Sequence, residues 1–371
     1  MRETIEVSLC NTANLLLILP GLLTMAISYL PSVKHLPTGR LLLHWNRFGR
    51  VYTPLLAESV FQTTESIKAH IYDTQCLSVV LKPLVKWAGG KRQLLPSILK
   101  MLPESFETYI EPFAGGCALL VGIYNIGKLK HAVISDLNEE LINLYTVVKS
   151  DPEALISEID GMSFTNDSKS YYLCRDRFNA LLGRASSSKE RAALFLYLNR
   201  HGYNGLWRVN GSGKFNVPFG RYSHPLMPAP DHISEFSAML SSVDIYSGDF
   251  ARTCRIASEG DLVYLDPPYL PVSIRSNFTE YSSGGFSMDQ QNRLRTECED
   301  MDRKGVKFIF NNSYAPEISR LYSKFFTYRV PSTRMINRNS DGRMGHYDLL
   351  GSNFAVAGTD SMFVDDSPYP N

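Results

Sequence analysis

The 371-residue chain has almost no net charge. Its 38 lysines and arginines stand against 37 aspartates and glutamates, which excludes a chain that coats nucleic acid along its whole length and leaves only local patches to consider. Its six cysteines, at 10, 76, 117, 174, 254 and 298, form no CxxC pair, and no histidine spacing suits zinc. That pattern reads as free thiols in a reducing compartment with no metal site. Neither GxGxxG nor GxxxxGK(S/T) occurs, so the usual loops for NAD and ATP are missing. Two local absences say more. No charged side chain lies from Val7 to Val33, and no Asp or Glu from Arg191 to Pro230.

The first of these gaps belongs to a leader, residues 1–80, whose texture differs from the remainder. The run NLLLILPGLLTMAISYL is long enough to cross a bilayer at about 20 residues per span. It reads as a stretch ahead of the true start, as a membrane anchor or as a cleaved signal, in that order. Basic residues after it, Lys34, Arg40, Arg47 and Arg50, would keep everything downstream in the cytoplasm. A cytoplasmic, nucleoid-associated protein is expected, with attachment through residues 7–33 the less favoured alternative.

From Leu84 onward the pattern becomes strand, helix, strand, helix, the signature of a parallel sheet. TYIEPFAGGCALLVGIY (108–124) reads as strand, glycine turn and helix, and HAVISDLNEELINLYTVV as a second strand ending at Asp136 before a second helix. Gly115 and Gly116 let a ligand approach the backbone, and Asp136 suits a ribose hydroxyl pair. DIYSGDF (244–250) ends a further strand at Asp249-Phe250. The most unusual stretch is LVYLDPPYL (262–270), an apolar strand closed by Asp266-Pro267-Pro268-Tyr269. Read plainly, the prolines only stop a strand. Read for function, Asp266 and the Pro267 carbonyl are two acceptors and Tyr269 a flat face, a trio suited to a planar ring bearing an amino group.

In combination and order these motifs resemble the Dam-type DNA adenine methyltransferases, over about Leu84 to Phe354. KWAGGK (86–91), EPFAGG (111–116), SDLN (135–138) and DPPY stand where that family has its cofactor, ribose and catalytic motifs. The resemblance implies S-adenosylmethionine as cofactor, held around Trp87, Ala88, Gly89, Gly90, Lys91, Glu111, Phe113, Gly115, Gly116, Asp136, Asp249, Phe250 and Asp266. Catalysis would fall to Asp266, Pro267, Pro268 and Tyr269. The family's enzymes begin only a few residues before KWAGGK, so the leader is a departure.

The second gap also finds a place in the resemblance. Residues 191–230 carry arginines, a lysine and aromatics without acids, a composition that meets phosphates and pries at a base stack. A solvated hairpin on an aromatic mini-core is the plainer reading. By resemblance, Arg208 reads a guanine, Leu206 and Pro218 make apolar base contacts, and Tyr203 and Asn204 enter the stack. Arg200, Asn216 and Arg221 join them on DNA, and Asn277 and Thr279 in the polar loop 273–291 touch phosphates.

The expected architecture is a Rossmann-like α/β domain with a seven-stranded methyltransferase sheet (81–159 and 236–355). A helical and hairpin DNA-recognition domain (160–235) is inserted, and residues 356–371 form a tail. The expected activity is methylation of the adenine N6-amino group in duplex DNA, at GATC, with base flipping. A cytosine amino-methyltransferase and a non-catalytic DNA-binding relative are the alternatives. Double-stranded DNA is the partner, and a monomer with no obligate protein partner is expected.

Overall fold

The computed structural model describes residues 80–87, 89, 91, 93–269, 286–332 and 346–356, together with three strands nearer the amino terminus. Those strands, β1 (Thr4–Ser8), β2 (Val33–His35) and β3 (Arg40–His44), form an antiparallel sheet ordered β1-β3-β2. They belong to one compact unit, Met1–Leu77, and the remaining chain to another, Ser78–Asn371. Residues 9–32, which carry the membrane-span reading, lie outside the described residues. Among the described residues no helix is long and apolar enough to cross a membrane.

The second unit is built on seven strands: β4 (Thr108–Glu111), β5 (His131–Asp136), β6 (Val243–Ser247), β7 (Leu262–Leu265), β8 (Lys307–Ser313), β9 (Phe326–Ser332) and β10 (His346–Ser352). Their order is β6-β5-β4-β7-β8-β10-β9; neighbours from β6 to β8 are parallel, and β10 runs antiparallel to β8 and β9. This is the Rossmann-like α/β sheet that the sequence led us to expect. The chain steps outward from β4 to β5 and β6, then returns to β7 on the other side of β4. At such a switch point the loops after two neighbouring strands diverge and leave a crevice for a ligand.

The short apolar runs form strands buried on both faces, as parallel sheets require. In β7, Leu262 and Tyr264 join one apolar cluster and Val263 and Leu265 the other. Each such side chain contributes about 1.5–3 kcal/mol on full burial. The period of two then places Asp266, the next residue of the Leu262 and Tyr264 row, at the carboxyl end.

Residues 160–235 share this core. Tyr171 and Phe178 of helix Ser168–Leu181, Phe195 of helix Ser188–His201, and Phe215 belong to the same cluster as Leu120 and Tyr145 beside the sheet. Ala192 through Leu198 are all buried, as in a helix covered on every side. Arg191, at the start of the acid-free stretch, is buried and donates to Glu140 at 2.9 Å.

Candidate active site

At the end of β4 the chain turns sharply, with Gly115 at φ 46° and Cys117 at φ 55°. A Cβ on Gly115 would stand 2.8 Å from the Trp87 ring, so the glycine is required both by its backbone and by the indole packed on it. Asp136 ties this turn to β5: its Oδ2 accepts from the Gly115 amide at 3.0 Å and its Oδ1 from the Asn138 amide at 2.9 Å. Asn138 in turn caps helix Glu139–Ser150 through the Glu140 and Leu141 amides. SDLN is thus a strand end, an Asx turn and a helix cap in four residues. Burial raises the Asp136 carboxyl from its ordinary range against these amide bonds. Two amides leave a carboxylate with lone pairs to spare for a hydroxyl pair.

Asp266 sits one strand away, its side chain about one-fifth exposed, and pairs with the buried Lys91 ammonium at 2.8 Å. Lys91 also donates to the Gly89 carbonyl at 2.7 Å and lies 4.8 Å from the centre of the Tyr269 ring. Burial raises the Asp266 carboxyl; Lys91 and Asn311 oppose the rise and Asp348 adds to it. Pro267 is buried and Pro268 exposed. Glu111 is buried at the end of β4, its Oε2 without a hydrogen-bond partner among the described residues. Burial pushes its carboxyl well above the usual range, with Asp266 and Asp136 adding to the rise.

After β6, Asp249 caps helix Phe250–Arg255 through the Ala251 amide at 3.0 Å and takes a two-pronged contact from Arg293, at 2.9 and 3.2 Å. Burial works to raise this carboxyl, but Arg293 and the amide outweigh it and hold it low. Beside it Phe113 and Phe250 stack at 5.2 Å, and Phe286 meets both. Sequence reasoning missed Phe286 and Arg293, which show only as an aromatic in a polar loop and a charge on a polar helix.

The acid-free stretch forms a small hairpin, with bridges between Gly202 and Phe219 and between Val209 and Phe215. Trp207 seats it, stacked on Phe195 at 5.1 Å and beside Phe215. Arg208 is exposed, its Nε on Asn216 Oδ1 at 2.7 Å and its NH2 on the Asn216 carbonyl at 3.0 Å. Tyr203, Asn204, Pro218 and Arg221 are also exposed, and Leu206 is half-buried. Arg200 is turned inward, donating to the Leu84 carbonyl. Neighbouring Asn199 brackets Lys86, accepting from its amide at 2.8 Å and donating to its carbonyl at 2.7 Å. Ala88, Gly90, Asn277 and Thr279 lie outside the described residues. Among the described residues no group of three or more His, Cys, Asp or Glu is placed to hold a metal ion.

A mostly parallel sheet with an acid, two prolines and an aromatic at its switch point is the Rossmann-like arrangement of an α/β domain with its site at the strand ends. Comparison with known proteins narrows this. Residues 87–336 match the family of D12 class N6 adenine-specific DNA methyltransferases. A Type II methyltransferase of Lactococcus lactis subsp. cremoris is 41% identical over 278 residues, 74% of this chain and 96% of that protein. A Type II methyltransferase of Methanocaldococcus jannaschii is 38% identical, over 74% of this chain and 99% of its own. The DNA adenine methylase of Escherichia coli is 32% identical, over 72% and 94%. This chain belongs to the D12 class of N6 adenine-specific DNA methyltransferases, and is an enzyme acting on DNA.

Proposed function

We propose that the enzyme draws its methyl group from S-adenosylmethionine and delivers it to an adenine flipped out of a GATC duplex. The observation that carries this reading is the strand-end cluster: Asp266 held by Lys91, with Tyr269 beside it. The crevice fits such a cofactor chemically. Asp136 is an acceptor for a ribose, Asp249 with Phe113 and Phe250 an acid beside an aromatic wall, and Glu111 Oε2, at the end of the neighbouring β4, a buried polar atom without a partner among the described residues. When bound, S-adenosylmethionine supplies an electrophilic methyl on a sulfonium.

The residues of the chain account for the rest. An adenine in a duplex hides its amino group in the base pair, so flipping costs a few kcal/mol. Tyr269 gives the extruded ring a face to stack on. The amino nitrogen is a poor nucleophile because its lone pair is shared with the ring. Accepting its two hydrogens at Asp266 and the Pro267 carbonyl returns that pair to nitrogen, so positioning and electrostatics do the work of a strong base. An amino nitrogen that had taken up a methyl group would carry one proton too many, and Asp266 would pass it to solvent. Pro267 and Pro268 lack amide hydrogens, so no neighbouring donor competes for that carbonyl.

Target reading is assigned to the hairpin, where exposed Arg208 is the guanine reader and Leu206 and Pro218 flank it. Its support is the order of the residues and the exposure of Arg208 and Pro218 on one hairpin. Duplexes altered at each base of GATC test the target, and a separate duplex with 2-aminopurine in place of the adenine reports flipping. Equal methylation of every altered duplex, or no fluorescence rise on binding, would refute them.

A further inference from the structure

The Tyr269 hydroxyl is engaged on both sides. It accepts from Asn311 Nδ2 at 2.6 Å and donates to Asp348 Oδ2 at 3.0 Å. Asn311 Nδ2 also lies 3.4 Å from Asp266 Oδ1, the oxygen that takes Lys91, so among the described residues both donors fall on one carboxylate oxygen. The other is left for a substrate.

We propose that Asn311 and Asp348 are positioning residues for methyl transfer, which fix the Tyr269 ring and the Asp266 carboxylate in one arrangement before the adenine arrives. This rests on the reading above, in which Tyr269 stacks on the base and Asp266 accepts its amino hydrogens. Asn311 is fully buried on β8 and Asp348 nearly so on β10. In the β8–β10 register Asn311 faces Leu350 and Asp348 faces Ser313, which sets the two polar residues diagonally on one face. They therefore hold the tyrosine from two rigid strands rather than from a loop.

The asparagine is not there for its own comfort. Its Oδ1 is buried without a hydrogen-bond partner among the described residues, a cost that an apolar side chain of similar size would avoid. The amide is retained where its hydrogens meet the two groups assigned to the substrate. A tyrosine with its hydroxyl free would still offer a ring to stack on, but the ring plane would no longer be set. A small misplacement of this kind costs rate rather than affinity, because remote contacts do the binding.

The test is a double-mutant cycle on the full chain: native, Asp348→Ala, Tyr269→Phe and the pair together. Single-turnover methylation is measured at saturating duplex and S-adenosylmethionine, with the Kd of each measured separately. Each single change is expected to slow transfer about tenfold while both Kd values stay within about threefold. The pair should be slowed by much less than the product of the two singles, because the Tyr269–Asp348 bond is lost in both, although Tyr269→Phe also loses the Asn311 bond. Asp348→Asn, which keeps an acceptor oxygen, should recover most of the rate. If Asp348→Ala does not fold, Asn311→Leu completes the same cycle against Tyr269→Phe, with the same non-additivity expected.

Rates that multiply in the pair, an unchanged rate in the singles, or Kd values that weaken in step would each overturn the proposal. Failure of the underlying reading looks different. In that case Asp266→Ala itself would keep full activity, whereas the positioning proposal fails alone when Asp266→Ala is inactive and the cycle shows no coupling.

Discussion

The end of β7 and the acid-free hairpin are built on opposite terms. At the strand end the polar groups are tied to one another before any substrate arrives: Asp266 to Lys91 and Asn311, and Tyr269 to Asn311 and Asp348. On the hairpin, Arg208 is exposed and bonded to Asn216, within the hairpin itself. Chemistry needs groups whose geometry is fixed in advance, because reorganising them would add to the barrier. Reading a base edge needs groups that reach outward and exchange water for a partner. Substitutions at the first place should therefore cost rate, and substitutions at the second should cost discrimination or affinity.

The largest effect is expected from Asp266→Ala, which should lower turnover by about a thousandfold or more while cofactor and DNA binding stay within about tenfold. Parallel loss of binding and rate would make Asp266 an affinity residue and blur the contrast. Next comes Arg208→Ala, which should lose about 1–3 kcal/mol of discrimination at one base pair of the site and leave the others as they were. A uniform loss across duplexes would turn Arg208 into a phosphate clamp.

Lys91→Met sharpens the comparison through pH. Burial raises the Asp266 carboxyl and Lys91 opposes that rise, so removing the ammonium should send it further up. With the carboxylate as the proposed acceptor, activity should be lost as pH falls through its pKa. The acidic limb of the kcat profile should therefore move to higher pH in the variant; an unmoved limb would separate Lys91 from Asp266 in function. The smallest effect is expected from Lys214→Ala at the exposed hairpin tip. It should weaken all duplexes alike, and reduce the slope of log K against log salt by about one phosphate contact.

Much of the site was legible because its chemistry is local. Asp-Pro-Pro closes a strand within three residues, Gly115 makes its own turn, and Asp136 and Asn138 order the loop between them. What could not be read is what arrives from far along the chain. Asn311 lies 45 residues from Asp266 and Asp348 lies 79 from Tyr269, and only strand order makes them neighbours. A polar residue inside FIFNNS was visible, but its partner was not. Direction is equally hidden: Arg200, expected on DNA by resemblance, has one guanidinium nitrogen on the Leu84 carbonyl, 116 residues away in sequence. The seven-stranded order was legible as far as the β-α alternation went. The antiparallel insertion of β10 between β8 and β9 is set by pairing that no local pattern encodes.

The central claim is that the strand end after β7 methylates adenine. It is tested most directly by incubating a GATC duplex with labelled S-adenosylmethionine and native or Asp266→Ala enzyme, then digesting the DNA and separating the nucleosides. The account predicts that the native enzyme places all label in N6-methyldeoxyadenosine and that the variant places none there. Label in a methylated cytosine, or undiminished label in adenine with the variant, would contradict it.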